Sequence, residues 1–126
     1  VLGHIIEISD AKKGAIFIVE NKNITKVYAR EKIDEKWLYE FNYNKEVIED
    51  FIDRTRGDYF IDWNEIAEID SFTGIPNWNS LIVIPLNKDG VQKGILMLSV
   101  PINEKEFDFG TFNLVDSLAG IIASMI

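Results

Sequence analysis

The chain has 126 residues, 47% of them hydrophobic, with a formal charge of −8, a single His and no Cys. That is enough apolar material for one core in one domain. The acidic balance argues against non-specific nucleic-acid binding and against docking on anionic lipid, while the missing cysteines exclude disulfides, thiolate catalysis, Cys-ligated zinc and iron–sulfur clusters.

In chain order, residues 1–9 place Leu2, Ile5 and Ile6 on one side of a helix that should end near Asp10 and Gly14. The run AIFIV at 15–19 has strand length and is apolar throughout, the pattern of a strand covered on both faces. A turn at Asn21 to Asn23 and a strand over 25–29 complete a hairpin. Residues 31–43 are ambiguous. Trp37, Tyr39, Phe41 and Tyr43 alternate as in an edge strand, yet a helix over 33–38 also fits. Asn44 reads as the N-cap of a helix carrying Val47, Ile48, Phe51 and Ile52, with Gly57 as its stop. A brief strand at 59–61 precedes an irregular stretch over 62–79, with a short helix expected near 63–69.

The run SLIVIPL at 80–86 is a second doubly buried strand. Asp89 and Gly90 form a tight turn, residues 91–100 return as a strand, and a final helix covers 111–126. Two hairpins with continuous apolar strands imply an α+β fold, a central antiparallel sheet inside an α/β/α sandwich.

Neither end is a targeting or spanning segment. Residues 1–8 carry Glu7 and no basic leader, and residues 114–126 contain Asp116 and fall short of the ~20 residues a bilayer requires. Both ends read as interrupted helices. The expectation is one domain over residues 1–126, cut from a larger cytoplasmic protein that is free to be tethered to a membrane elsewhere.

The final helix has an uneven message. Phe112, Val115, Leu118, Ala119, Ile122, Met125 and Ile126 are expected on the sheet, widened by Leu114 and Ile121. The opposite face holds Asn113, Ser117, Gly120 and Ser124, where a surface helix ordinarily carries charge. Small residues let another helix approach, so a homodimer contact through Asn113, Ser117, Gly120, Ser124 and, from the first helix, His4 is expected. The plainer reading is a neutral surface covered by another part of the intact protein. A His at such an interface would make association sensitive to pH.

The SLIVIPL run, the Asp89–Gly90 turn and the KGILML run at 93–98 together resemble the GAF pattern of a Ser-led strand ending in Pro-Leu, a tight turn and a Gly-led strand. Phe107, Leu114, Val115 and the LAGIIA run at 118–123 are similar to the closing helix of that family, and residues 10–19 to its opening. Thr111 stands where many members carry Asp at the start of the last helix.

The resemblance implies a GAF-like fold with the first and last helices on one face and a ligand pocket under a variable layer on the other, here residues 62–79. It implies a regulatory, non-catalytic sensor of an unknown small molecule that signals through its terminal helices to a covalently linked output domain. Histidine kinases, cyclic-di-GMP enzymes and transcription regulators are the output classes. A ligand-free dimerisation or spacer module is the alternative.

Candidate pocket residues are Trp63, Phe72, Trp78, Asn79, Ser80 and Ile82. The competing reading of the aromatics is that they pin a loop to the core. The acids Asp58, Asp62, Glu65, Glu68 and Asp70 match no calcium-loop spacing and read as a solvated face, so no metal is expected. Bilin attachment through Cys is excluded. No catalytic residue is assigned, since no nucleophile–base set or phosphate-cradling loop is present.

Overall fold

A computed structural model describes residues 2–40, 42–54, 59–61, 79–101 and 104–126, with the backbone alone at 59–61 and 79. The described elements are α1 (Leu2–Ser9), β1 (Lys13–Glu20), β2 (Asn23–Ile33), β3 (Lys36–Leu38), α2 (Lys45–Arg54), β4 (Tyr59–Ile61), β5 (Asn79–Lys88), β6 (Val91–Pro101) and α3 (Phe109–Ser124). The six strands form one sheet in the order β3-β2-β1-β6-β5-β4. Every neighbouring pair is antiparallel. Both apolar runs read from the sequence, 15–19 and 80–86, therefore lie in the same sheet.

Strand alternation divides the core in two. Ile16, Ile82, Ile84, Leu86, Leu96, Leu98 and Val100 face Leu2, Ile5 and Ile6 of α1 and Val115, Ala119, Ile122 and Ala123 of α3. Ala15, Phe17, Val19, Leu81, Val83, Ile95 and Met97 face Ile48, Phe51 and Ile52 of α2. The expected sandwich, with first and last helices on one face, is what the chain adopts.

Three tight turns set the strand registers. Asn21 and Lys22 (φ 52° and 67°), Asp34 and Glu35 (50° and 66°), and Asp89 and Gly90 (54° and 78°) each place two successive residues in the left-handed region. That is the two-residue loop whose twist matches the flanking strands. The Asp34–Glu35 turn resolves the ambiguity over 31–43. It carries β2 on to Ile33, beyond the expected end at residue 29, and folds Lys36–Leu38 back as an edge strand where a helix over 33–38 was the other option.

Two close contacts lock the sheet. A Cβ on Gly94 would lie 2.2 Å from the Phe17 carbonyl oxygen, so β1 and β6 approach as they do only because residue 94 has no side chain. At the same end of β1, the Glu49 carboxylate of α2 accepts the Ile24 N–H beside the register shift at Ile18 and Val19. The helix therefore satisfies a strand group close to a break in the ladder.

Helix ends follow local chemistry. Asn44 caps α2 by accepting the Val47 N–H at 3.1 Å. The last helix starts earlier than the sequence suggests. Asp108 is its N-cap, accepting the Thr111 N–H at 2.7 Å, so Thr111 lies inside the first turn and is not the cap. Helix geometry ends at Ser124, which leaves Met125 70% exposed and Ile126 exposed, against the expectation that both lie on the sheet.

Candidate functional site

Of the expected pocket residues, only Ser80 and Ile82 have described side chains. Ser80 and Ile82 are fully buried, but they point into the layer beneath α1 and α3, opposite to α2. The Ser80 hydroxyl accepts the Phe107 N–H at 3.0 Å and so anchors the chain entering α3. These two residues hold the terminal-helix layer in place, and neither faces the α2 side where a pocket was expected. The reason is strand parity: residues 81 and 83 face α2, and residues 80 and 82 cannot. Asn79 pairs with Pro101 through its backbone. Trp63, Phe72 and Trp78, the helix expected near 63–69, the acids Asp58, Asp62, Glu65, Glu68 and Asp70, and Gly57 lie outside the described residues.

On the α2 face a different polar group stands out. Ser99 is 3% exposed, and its hydroxyl has no hydrogen-bond partner among the described residues. It sits in a row across the sheet, paired with Lys13 on one side and Leu81 on the other. Lys13 in turn pairs with Glu31. Burial pulls the Lys13 ammonium below the ordinary lysine range, and Glu31 partly opposes that shift. The adjoining row is Ala29, Ala15, Met97 and Val83, whose small and flexible side chains are suited to lining a ligand. Toward α2 the same face closes with Phe17 packed edge-on against Tyr43 at 5.1 Å. Sequence reasoning missed Ser99 because a serine inside an apolar strand carries no motif; its parity opposite Ser80 was the available signal.

The expected interface residues are brought together in part. Asn113, Ser117, Gly120 and Ser124 are exposed along α3. The hydroxyls of Ser117 and Ser124 donate to the carbonyls of Asn113 and Ile121 within the helix, which leaves the stripe polar in name but satisfied locally. Beside it runs a stripe the sequence placed on the sheet: Leu114 is 47% exposed and Ile121 58%. His4 is exposed on α1 and lines a shallow groove of about 310 Å³ with Gly3, Glu7, Arg30, Trp37 and Tyr39.

At the C-terminal end of α1, Asp10 accepts from Lys105 at 2.8 Å and Lys12 approaches Glu104 at 3.9 Å, which ties α1 to the approach to α3. The Lys105 ammonium beside Asp10 holds its carboxyl below the usual range. Among the described residues no group of His, Asp or Glu is placed to hold a metal ion, and no described helix is long and apolar enough to cross a membrane.

Comparison with solved structures defines the fold. The chain superposes on a GAF domain/HD domain protein from Geobacter sulfurreducens with a TM-score of 0.69 at 7% identity, over 98% of this chain and 84% of that one. The cofactor-binding GAF domain of the nutrient sensor CodY from Clostridium difficile matches with a TM-score of 0.64 at 12% identity, over 99% and 81%. The GAF domain of an Acinetobacter phosphoenolpyruvate-protein phosphotransferase matches with a TM-score of 0.66 at 11% identity, over 98% and 75%. No family model and no curated protein sequence matches the chain. The fold is that of a GAF domain.

Proposed function

We propose that this GAF domain is a regulatory, non-catalytic sensor that binds a small molecule on its α2 face and passes the change through α1 and α3 to an output domain. The observation that carries the reading is Ser99. A hydroxyl buried without a partner is uncommon in native proteins, and a polar ligand group would satisfy it. Lys13 and Glu31, in the same row, supply charge to orient such a ligand. The solved CodY domain is a cofactor-binding nutrient sensor, which is consistent with sensing on this fold. Coupling requires that the ligand bind one arrangement of sheet and terminal helices better than the other. The output domain is a histidine kinase, a cyclic-di-GMP enzyme or a transcription regulator, and the setting is cytoplasmic, without nucleic-acid or membrane contact by this domain.

Native mass spectrometry on freshly purified protein tests the reading, because it reports both retained ligand and subunit count. A retained small molecule that is lost in Ser99→Val supports the sensor. Protein without adduct, together with a Ser99→Val variant that is merely more stable, overturns it.

A second reading rests on the exposed apolar stripe of α3. Leu114 and Ile121, with Asn113, Ser117, Gly120 and Ser124 alongside, suit a helix–helix homodimer. A dimer that carries no ligand would make the domain a dimerisation or spacer module.

A further inference from the structure

Three polar side chains share one row on the α2 face of the sheet. In register across β2, β1 and β6 stand Glu31, Lys13 and Ser99. Directly paired residues on one face of an antiparallel sheet bring their Cβ atoms to about 5 Å, so a carboxylate, an amine and a hydroxyl are neighbours here. The next row, Ala29, Ala15 and Met97, gives the trio an apolar floor of small and flexible side chains.

Each member of the row has a property that the fold alone does not require. Ser99 is buried and its hydroxyl has no partner among the described residues, so a ligand group is free to satisfy it. Lys13 is half-buried on a strand whose next six residues are largely apolar. Burial disfavours its ammonium and raises the share of free amine, an effect that Glu31 partly opposes. A desolvated lysine amine is a nucleophile toward a carbonyl carbon. Glu31, half-buried on the far side of Lys13 from Ser99, is a carboxylate that can take up and return a proton.

A carbonyl group answers hydroxyl and amine together: its oxygen accepts from Ser99 while its carbon meets the Lys13 nitrogen. A carboxylate is a poorer fit, because Glu31 stands in the same row and repels it. We propose that this row binds an apolar aldehyde reversibly, as an imine of Lys13. The Lys13 nitrogen adds to the aldehyde carbon, and Ser99 holds the carbonyl oxygen as it gains charge. Glu31 carries the two amine protons, one after the other, from the nitrogen to that oxygen. The C–O bond breaks, the oxygen leaves as water, and a C=N bond remains. Hydrolysis runs the same steps backward and releases the aldehyde unchanged. The aldehyde's tail rests on Ala15, Ala29 and Met97. This ligand rests on the sensor reading of the Ser99 face, and adds to it a chemical class and a covalent mode.

Reductive trapping with butanal and cyanoborohydride at neutral pH, followed by peptide mass mapping, tests the proposal. Hydride from the reagent reduces an imine once formed and fixes a butyl group on the nitrogen. Lys13 is expected to be alkylated at least tenfold faster than the exposed Lys26, Lys36 and Lys45 of the same molecules. Those three are internal references. Ser99→Ala and Glu31→Gln should each slow trapping at Lys13 at least fivefold and leave the references unchanged, which a merely structural role would not do. Lys13→Arg keeps the positive charge and should abolish the preferred adduct alone. Equal alkylation of all four lysines, no alkylation at Lys13, or a Lys13 rate untouched in either variant overturns the proposal. A ligand retained in native mass spectrometry without trapping at Lys13 sinks the imine and leaves the sensor reading standing, so the two fail separately.

Discussion

At the scale of single residues, the decisive features are ones where the side chain is absent, buried or turned to an unexpected face. Gly94 has no slack: the atom a Cβ would strike is the backbone oxygen of Phe17, at the end of the β1–β6 ladder. Gly94→Ala is therefore expected to cost about 3 kcal/mol, the upper part of the range for overpacking, measured as a lower midpoint in urea denaturation. Ser99 acts in the opposite sense. Its hydroxyl has no partner among the described residues, so Ser99→Ala, which removes it without adding volume, should leave the ligand-free protein as stable or more stable, by up to about 1 kcal/mol. A clear loss of stability in Ser99→Ala would mean that the hydroxyl is already satisfied.

Asp108 controls an acid response. Hydrogen bonds from Thr111 hold its carboxyl below the usual aspartate value of 3.8. A carboxylate depressed in the folded state adds stability above its unfolded pKa, and that stability is lost as pH falls through the folded value. Asp10, lowered by Lys105, acts with the same sign. Asp108→Asn can still cap α3 but cannot titrate. Its melting temperature should fall less than that of the parent between pH 5 and pH 2.5, and parallel acid limbs would refute the assignment.

At the scale of elements, turn chemistry decides register. The Asn21–Lys22 and Asp34–Glu35 turns put a long side chain at a left-handed position that glycine occupies in the Asp89–Gly90 turn. An L-residue there costs roughly 1–2 kcal/mol, and glycine recovers part of this against its greater freedom when unfolded. Lys22→Gly is expected to stabilise by about 0.5 kcal/mol, although it removes a solvent-exposed pair with Asp53, which contributes little. Unchanged or lower stability in thermal denaturation would show that the turn is not strained as argued. The edge strand Lys36–Leu38 belongs to the same logic. Trp37 was recognisable as strand-like from alternation, but only a turn at Asp34 and Glu35 excludes a helix over the same residues. No dipeptide there advertises that turn, since neither residue is glycine.

At the scale of the molecule, α1 and α3 share a face and expose apolar surface. Ile121 is 58% exposed and follows the small residues Ser117 and Gly120 along α3. If the homodimer forms there, Ile121→Glu should weaken self-association at least tenfold, equivalent to about 1.4 kcal/mol, in sedimentation equilibrium. The monomer fold should persist because the side chain points to solvent. A variant that associates as tightly as the parent would remove α3 from the interface.

Much of this architecture was legible without coordinates. Continuous apolar runs at 15–19 and 80–86 point to strands covered on both faces, and the turn at Asp89 and Gly90 pairs the second run with residues 91–101. Those are local facts of hydrophobicity and backbone freedom, and they lead to an α/β/α sandwich on an antiparallel sheet, while the shared face of the first and last helices was implied by the resemblance to GAF domains. Which face each side chain serves was not local. Ser80 and Ile82 resembled pocket residues in the sequence, yet parity sends them under the terminal helices and leaves Ser99 on the α2 face. That assignment of faces is set by packing between residues distant in sequence, so tertiary structure alone decided it.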